Sequence, residues 1–266
     1  MSARLAAAFA RAGREQRPAL ITLVVPGYPG PAESDAVFDA MVAGGADIIE
    51  VEIPFSDPLA DGTTIQAVVF DALAAGTTPA KCVDYVRRAR GRHPETPIVF
   101  MAYLNPVLAY GLERFAADAA AAGADAVILT DLPPEEATAA KAALNDHGLS
   151  LIFLVAPTSS DARIALIASE AGGFVYCVSV AGVTGARAHL PADLGAFLAR
   201  VRDCTNLPLA VGFGVSRREH VESLAGVCDG VVVASAILDV IAASELQESA
   251  NAVREYVEVL SGRRRP

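Results

Sequence analysis

Along the chain, short apolar runs alternate with longer segments whose apolar residues recur at helical spacing. The runs begin near Leu20 (LITLVV), Ile48 (IIEVEI), Ile98 (IVFMAY), Ala126 (AVILT), Leu151 (LIFLV), Phe174 (FVYCVS), Leu209 (LAVG) and Val231 (VVVA). Eight runs of strand length, each separated by room for a crossover helix, form the pattern of repeated βα units. The gaps carry helical signals. Residues 34–44 place Val37, Phe38 and Met41 on one face, and 111–122 is Ala-rich and stops at Gly123. Residues 134–145 open with Glu135 and Glu136, which suit a helix N-terminus, and end before Gly148. Ser216 followed three positions later by Glu219 reads as a capping box opening a helix over 216–224.

A weak internal echo accompanies this alternation. Gly45-Ala46-Asp47, Gly123-Ala124-Asp125 and Val227-Cys228-Asp229-Gly230 each end a predicted helix and precede an apolar run. The pattern predicts an α/β fold in which residues 1–266 form a single (β/α)8 TIM-barrel domain, with an extra N-terminal helix over 1–17. A doubly wound open sheet is the alternative. It is disfavoured because no G-x-G-x-x-G follows the first run. Residues 1–17 leave two readings open: an organelle-targeting peptide, or a short amphipathic helix carrying Leu5 and Phe9, which the pattern favours.

Composition narrows the function classes. Of 266 residues 53% are hydrophobic and 20% charged. The mean hydropathy is +0.40. The charge-free run from Thr96 to Leu112 is broken by Pro97, Asn105 and Pro106, so it predicts no spanning helix. The hydrophobicity is expected to lie in strands buried on both faces. A net charge of −10 argues against nucleic-acid binding. Cys82, Cys177, Cys204 and Cys228 are widely spaced and read as buried thiols in a reducing cytoplasm. His93, His147, His189 and His220 read as surface residues with no metal-ligand spacing.

In a barrel of this kind the chemistry sits at the C-terminal ends of the strands. Alternation along the second strand puts Ile48, Glu50 and Glu52 on the inward face. Burial there raises a carboxyl pKa toward neutrality, which suits acid/base work, with a satisfied structural carboxylate as the alternative. The long gap that follows carries Asp57 and Asp61 and is expected to include a mobile loop over 54–64. Three turns suit phosphate: Gly182-Val183-Thr184-Gly185, Gly212-Phe213-Gly214-Val215-Ser216, and Ala234-Ser235. Other strand ends supply Tyr103, Asn105, Asp131, Tyr176 and Ser179. Asp131 reads equally well as a turn or cap residue.

These residues together resemble the tryptophan synthase alpha-subunit family, from Ala19 to about Ile241. The resemblance rests on GADIIE ending at Glu50, IPFSDPLADG over 53–62, Tyr103 with Asn105-Pro106, DLPPEE from Asp131, LIFLVAPT from Leu151, SVAGVTGAR over 179–187, Gly212-Phe213-Gly214 and Ser235-Ala236-Ile237. It implies a carbon–carbon lyase that cleaves indole-3-glycerol phosphate to indole and glyceraldehyde 3-phosphate in tryptophan biosynthesis. Glu50 matches the family's general acid/base and Asp61 the carboxylate that holds the indole N–H. Tyr176 and Thr184 match substrate-binding positions, to which Tyr103 and Asp131 are added here. Gly185, Gly214 and Ser235 match phosphate-binding positions, with Ala234 beside them. Pro54, Asp57 and Asn105 are expected to face a partner, and 180–192 to be a second mobile loop.

No metal or organic cofactor is implied in this subunit. Pyridoxal phosphate is expected only in a beta partner, within an alpha2beta2 heterotetramer of the cytoplasm. The sequence departs from the family pattern at Glu52 and Ala234, each where Gly is usual. Tyr28, Thr63 and Asp71 are further departures. Glu52 and Ala234 keep two alternatives open: a stand-alone lyase releasing indole for a secondary pathway, and a partner-activating subunit with weak catalysis.

Overall fold

The computed structural model describes residues 1–178, 193–212 and 214–264. Its eight strands are β1 (Ala19–Val24), β2 (Ile48–Glu52), β3 (Ile98–Ala102), β4 (Ala126–Leu129), β5 (Ser150–Val155), β6 (Val175–Val178), β7 (Leu209–Gly212) and β8 (Gly230–Val233). Each pairs in parallel with the next, and β8 closes on β1, giving the closed barrel the periodicity predicts. With helices outside and a packed interior, nearly every strand residue is buried, which is why the strands read as continuous apolar runs.

The helices are α1 (Ala3–Arg14), α2 (Pro31–Gly44), α3 (Thr63–Ala74), α4 (Pro79–Arg92), α5 (Leu104–Tyr110), α6 (Leu112–Ala122), α7 (Thr138–Asp146), α8 (Asp161–Glu170), α9 (Leu194–Arg202), α10 (Arg218–Ser223), α11 (Ser235–Ala242) and α12 (Ser249–Ser261). Two gaps hold a helix pair in place of a single crossover: α3 and α4 after β2, and α5 and α6 after β3. Local chemistry sets several ends. Thr78 and Ser160 cap α4 and α8 through their hydroxyls. Gly45 and Gly123 end α2 and α6 at φ of 105° and 92°, a left-handed conformation that favours glycine.

The sequence echo has a single physical cause. Asp47, Asp125 and Asp229 stand at the starts of β2, β4 and β8. Each carboxylate accepts a backbone N–H from the start of the preceding strand: Leu20 at 2.9 Å, Ile98 at 2.9 Å and Leu209 at 2.8 Å. Each residue's own amide returns a bond to the carbonyl of that same partner. Before β6 the amide bond survives, from Gly172 to Leu151, but glycine carries no carboxylate. Arginines neutralise all three: Arg11 and Arg17 on Asp47, Arg4 and Arg90 on Asp125, and Arg202 on Asp229. Helix α1 spans this end of the barrel. Its Phe9 ring packs edge-on against Phe174 at 5.7 Å, while Ser2 and Arg4 reach Asp125.

Several local expectations are corrected. The segment 134–145 is a 3-10 turn, Pro134–Glu136, followed by α7, because two successive prolines and the turn precede the helical register. The capping box at Ser216 does not form. Helix α10 starts later, with Arg217 before it, and the Ser216 amide donates to His220 Nδ1 at 3.4 Å. His220 is therefore buried, not a surface residue, and His93 is half-buried against Asp39. Cys204 is exposed, whereas the other three thiols are buried as expected. Among the described residues no helix is long and apolar enough to cross a membrane.

Asp47 gives a test of the barrel floor. Burial would raise its pKa, but bonds from Arg17, Arg11 and the Leu20 amide outweigh that and hold it below the usual carboxylate range. A depressed folded pKa adds stability above the unfolded value, and that stability is lost as pH falls through the folded value. Asp47→Ala is expected to cost about 3 kcal/mol at pH 7, since it strands two guanidinium groups and an amide. In urea unfolding the deficit relative to the parent should shrink below about pH 4.

Candidate active site

The opposite end of the barrel gathers three carboxyl groups. Glu50 and Glu52 lie on the same face of β2, and both are buried, at 0% and 1% exposure. Register extends that face to the neighbours. Glu50 is level with Leu23 and Val99, and Glu52 with Met101, which is level with Ile128. These apolar side chains are buried and give the carboxyls a low-dielectric surround. Neither oxygen of Glu50 has a hydrogen-bond partner among the described residues, and the same holds for Oε2 of Glu52. Burial alone pushes the Glu50 pKa up to about 8. Glu52 is raised well above the carboxylate range by burial, then by the charges of Asp61 and Glu50.

Asp61 reaches the same place from the loop after β2. The expected loop over 54–64 ends at Gly62, because Thr63 and Thr64 open α3. Burial raises the Asp61 pKa to about 6, while a hydrogen bond from the Tyr103 hydroxyl, at 3.1 Å, opposes the rise. Tyr103 sits just before α5. Its hydroxyl also accepts the Ala60 amide at 2.9 Å, and its ring lies 5.4 Å from that of Phe55. Gln66 donates to the Asp61 carbonyl at 2.9 Å. One tyrosine thus fixes both the second carboxylate and the loop that carries it. The alternation of β2 locates Glu50, but nothing in the local sequence announces the Phe55–Tyr103 contact or the lining by Leu23, Met101 and Ile128. Reading the inward positions of neighbouring strands would have found the lining.

The remaining sequence-predicted residues divide into groups. Tyr176 on β6 is buried, and burial followed by the charges of Glu50, Asp61 and Glu52 raises its phenol well above its ordinary pKa, which places it beside the trio. Its ring lies over Gly212: a Cβ there would come within 2.6 Å of the Tyr176 hydroxyl, so only glycine fits. Gly214 follows at φ 64°. Ser235 is the buried first residue of α11, with Ala234 before it at φ −113°, a value open to any L residue. The Ala234 methyl therefore adds no backbone strain. Thr184, Gly185 and the expected loop 180–192 lie outside the described residues, as do Ser179 and His189.

Asp131 is exposed and accepts the Leu104 amide at 2.7 Å, so it fixes the first turn of α5. Of the three residues expected to face a partner, Asp57 and Asn105 are exposed, whereas Pro54 is buried within the chain and presents little to a partner. The sequence reading missed Leu59 and Leu108 on the same two segments, exposed at 87% and 53%. Among the described residues no group of three or more His, Cys, Asp or Glu side chains is arranged to hold a metal ion.

This arrangement pairs a neutral, buried carboxylic acid with a second carboxylate that is ionised near neutral pH. It suits proton donation to a carbon beside a site that stabilises developing positive charge. A family model described as tryptophan synthase alpha chain matches residues 9–263. The tryptophan synthase alpha chain of Geobacter sulfurreducens is 48% identical over 257 residues, 97% of each chain. That of Roseiflexus castenholzii is 49% identical over 262 residues, 97% of this chain and 99% of the other. A structure of Mycobacterium tuberculosis tryptophan synthase superposes with a TM-score of 0.90 at 37% identity, covering 98% of each chain. These relatives support the alpha-chain reading and lend nothing to the stand-alone lyase or the partner-activating subunit.

The Tyr103 bond generates a test. Tyr103→Phe removes the donor to Asp61 and the acceptor of the Ala60 amide. The Asp61 pKa, followed by 13C NMR of its labelled carboxyl, is expected to rise above that of the parent protein. An unchanged or lower value would show that the hydroxyl does not hold this carboxylate.

Proposed function

Because the chain belongs to the tryptophan synthase alpha chain family, a lyase family that cleaves indole-3-glycerol phosphate in tryptophan biosynthesis, we propose that Glu50 and Asp61 carry that cleavage here. The observation that supports the assignment best is Glu50 itself, a fully buried carboxyl whose oxygens have no hydrogen-bond partner among the described residues and whose pKa is about 8. Such a group holds its proton at neutral pH. It gives that proton to C3 of the indole ring, and the resulting carboxylate accepts the proton of the side-chain hydroxyl as the C–C bond opens to an aldehyde. Asp61, ionised above about pH 6, binds the ring N–H and stabilises the positive charge that C3 protonation creates.

Tyr176 and Tyr103 frame the ring, and Tyr103 also aims Asp61. The phosphate is assigned to the turn at Gly214 and to Ala234 and Ser235 at the start of α11, where helix amides favour an anion. Thr184 and Gly185 complete the assignment. Asp131 acts through α5, not through the substrate. The loop 54–62 closes over the bound substrate and excludes water.

The reaction needs only this chain's side chains; pyridoxal phosphate belongs to a beta partner in an alpha2beta2 complex. Leu59 and Leu108, flanked by exposed Asp57 and Asn105, supply an apolar surface for that partner. Free thiols, three of them buried, accord with a cytoplasmic setting.

Glu50→Gln keeps shape and removes the proton. It is expected to lower kcat for indole-3-glycerol phosphate cleavage by about 1000-fold or more, with the circular dichroism spectrum unchanged. A carboxyl with a raised folded pKa gives stability that is full below its unfolded pKa and is lost as pH rises through the folded value. The same variant should therefore unfold at higher temperature than the parent at pH 8 and above. Retention of most of the kcat would remove Glu50 from the mechanism. For the partner surface, Leu108→Asp should weaken stimulation of cleavage by an added beta chain at least tenfold while leaving the unstimulated rate within about twofold, since a charge is placed at an apolar contact. Equal stimulation would place the interface elsewhere.

A further inference from the structure

Glu52 is unaccounted for by the assignments above. It lies two residues beyond Glu50 on the same inward face, with Cα atoms about 6.5–7 Å apart by strand rise, on the mouth side of Glu50. It is 1% exposed, and its Oε2 has no hydrogen-bond partner among the described residues. The ionisable groups coupled to it come from several sides: the charges of Asp61 on the loop beyond and Glu50 on β2 act on it, and its own charge acts on Tyr103 before α5, Tyr176 on β6 and the Cys82 thiol on α4. All of these are acids. None is a cation that would let two neighbouring carboxylates ionise together. Every salt bridge found among the described residues lies elsewhere; the arginines nearest in sequence are committed to Asp47, Asp84, Asp125, Asp35 and Asp39.

We propose that Glu52 is a positioning residue that acts through Glu50, competing with it for the single negative charge that the inner strand face accommodates and so keeping Glu50 in its proton-donating form. The reasoning is a property of coupled acids. When two carboxyls share a low-dielectric site, any population in which one is ionised makes ionisation of the other more costly. A neighbour that titrates therefore always raises the protonated fraction of Glu50 at a given pH, relative to a neighbour that stays neutral. Asp61 stands apart because the Tyr103 hydroxyl stabilises its charge. The strand pair is left to divide one further charge between them. The chemistry is unchanged: the proton still passes from Glu50 to the ring carbon, and Glu52 neither gives nor takes a proton from the substrate.

This inference rests on the assignment of Glu50 as the proton donor. The test is the pH dependence of kcat/KM for indole-3-glycerol phosphate cleavage by the full chain. It compares the parent with Glu52→Gln, Glu52→Gly and Glu52→Asp, the fold of each checked by circular dichroism. Gln removes the charge and keeps the shape. Gly removes both and covers the case in which Gln fails to fold. Asp keeps the charge and alters the reach. The basic limb is expected to move down by about half a pH unit or more in the Gln and Gly variants, and to return toward the parent in the Asp variant. A purely structural role would scale kcat/KM at every pH and leave the limb in place. A limb that stays fixed or moves up in the Gln and Gly variants would overturn the proposal. Glu50→Gln separates the two levels. If it is inactive while the Glu52 variants leave the limb unmoved, only the Glu52 inference fails. If it is active, the assignment of Glu50 fails first.

Discussion

A carboxyl group taken out of water is costly to ionise, and the upper half of this molecule is organised around two buried ones on one strand, Glu50 and Glu52. The cost is imposed by the barrel. Eight parallel strands closed on themselves leave no edge. Leu23, Val99 and Met101 fill the positions level with Glu50 and Glu52 and offer nothing polar. Desolvation is the primary cause that holds the proton on Glu50. The same surround makes every nearby charge count for more than it would in water, which is why Asp61, Glu52 and Tyr176 are felt so strongly by one another.

The two ends of the barrel treat carboxylates in opposite ways. At the floor, Asp47, Asp125 and Asp229 are tied to strand amides and to arginines, so they are structural. At the mouth, Glu50 has neither amide nor arginine among the described residues and stays protonated. Asp61 is intermediate, with one tyrosine hydroxyl in place of a cation. This contrast follows from residue placement alone: arginines are supplied by α1, α4 and α9 at the strand starts, whereas the loop after β2 and the residue before α5 bring only acids, a phenol and apolar rings. Stability and chemistry are thereby kept on separate faces of one fold.

Much of this was legible in the sequence. The eight apolar runs located the strands because both faces of each are buried, and alternation along β2 placed Glu50 and Glu52 inward. The repeated Gly-Ala-Asp was visible as an echo, but its meaning needed the register that brings each Asp beside the previous strand's amide. What could not be read depended on contacts distant in sequence. Tyr103 holding Asp61 spans 42 positions. The capping box at Ser216 failed because His220 competes for that amide. Asp131 looked like a site residue because it follows a strand, and the contact that could not be foreseen is the Leu104 amide on its Oδ1 at the first turn of α5. Pro54 shares a motif with exposed residues but turns inward.

The most direct test of this account is the protonation state of Glu50 in the resting protein. It can be read by infrared difference spectroscopy between the parent and Glu50→Gln across pH. A protonated carboxyl band assigned to Glu50 should be present at pH 7 and should titrate away near pH 8. A Glu50 already ionised at pH 6 would contradict it, since a buried side chain with no hydrogen-bond partner among the described residues would then be holding a charge.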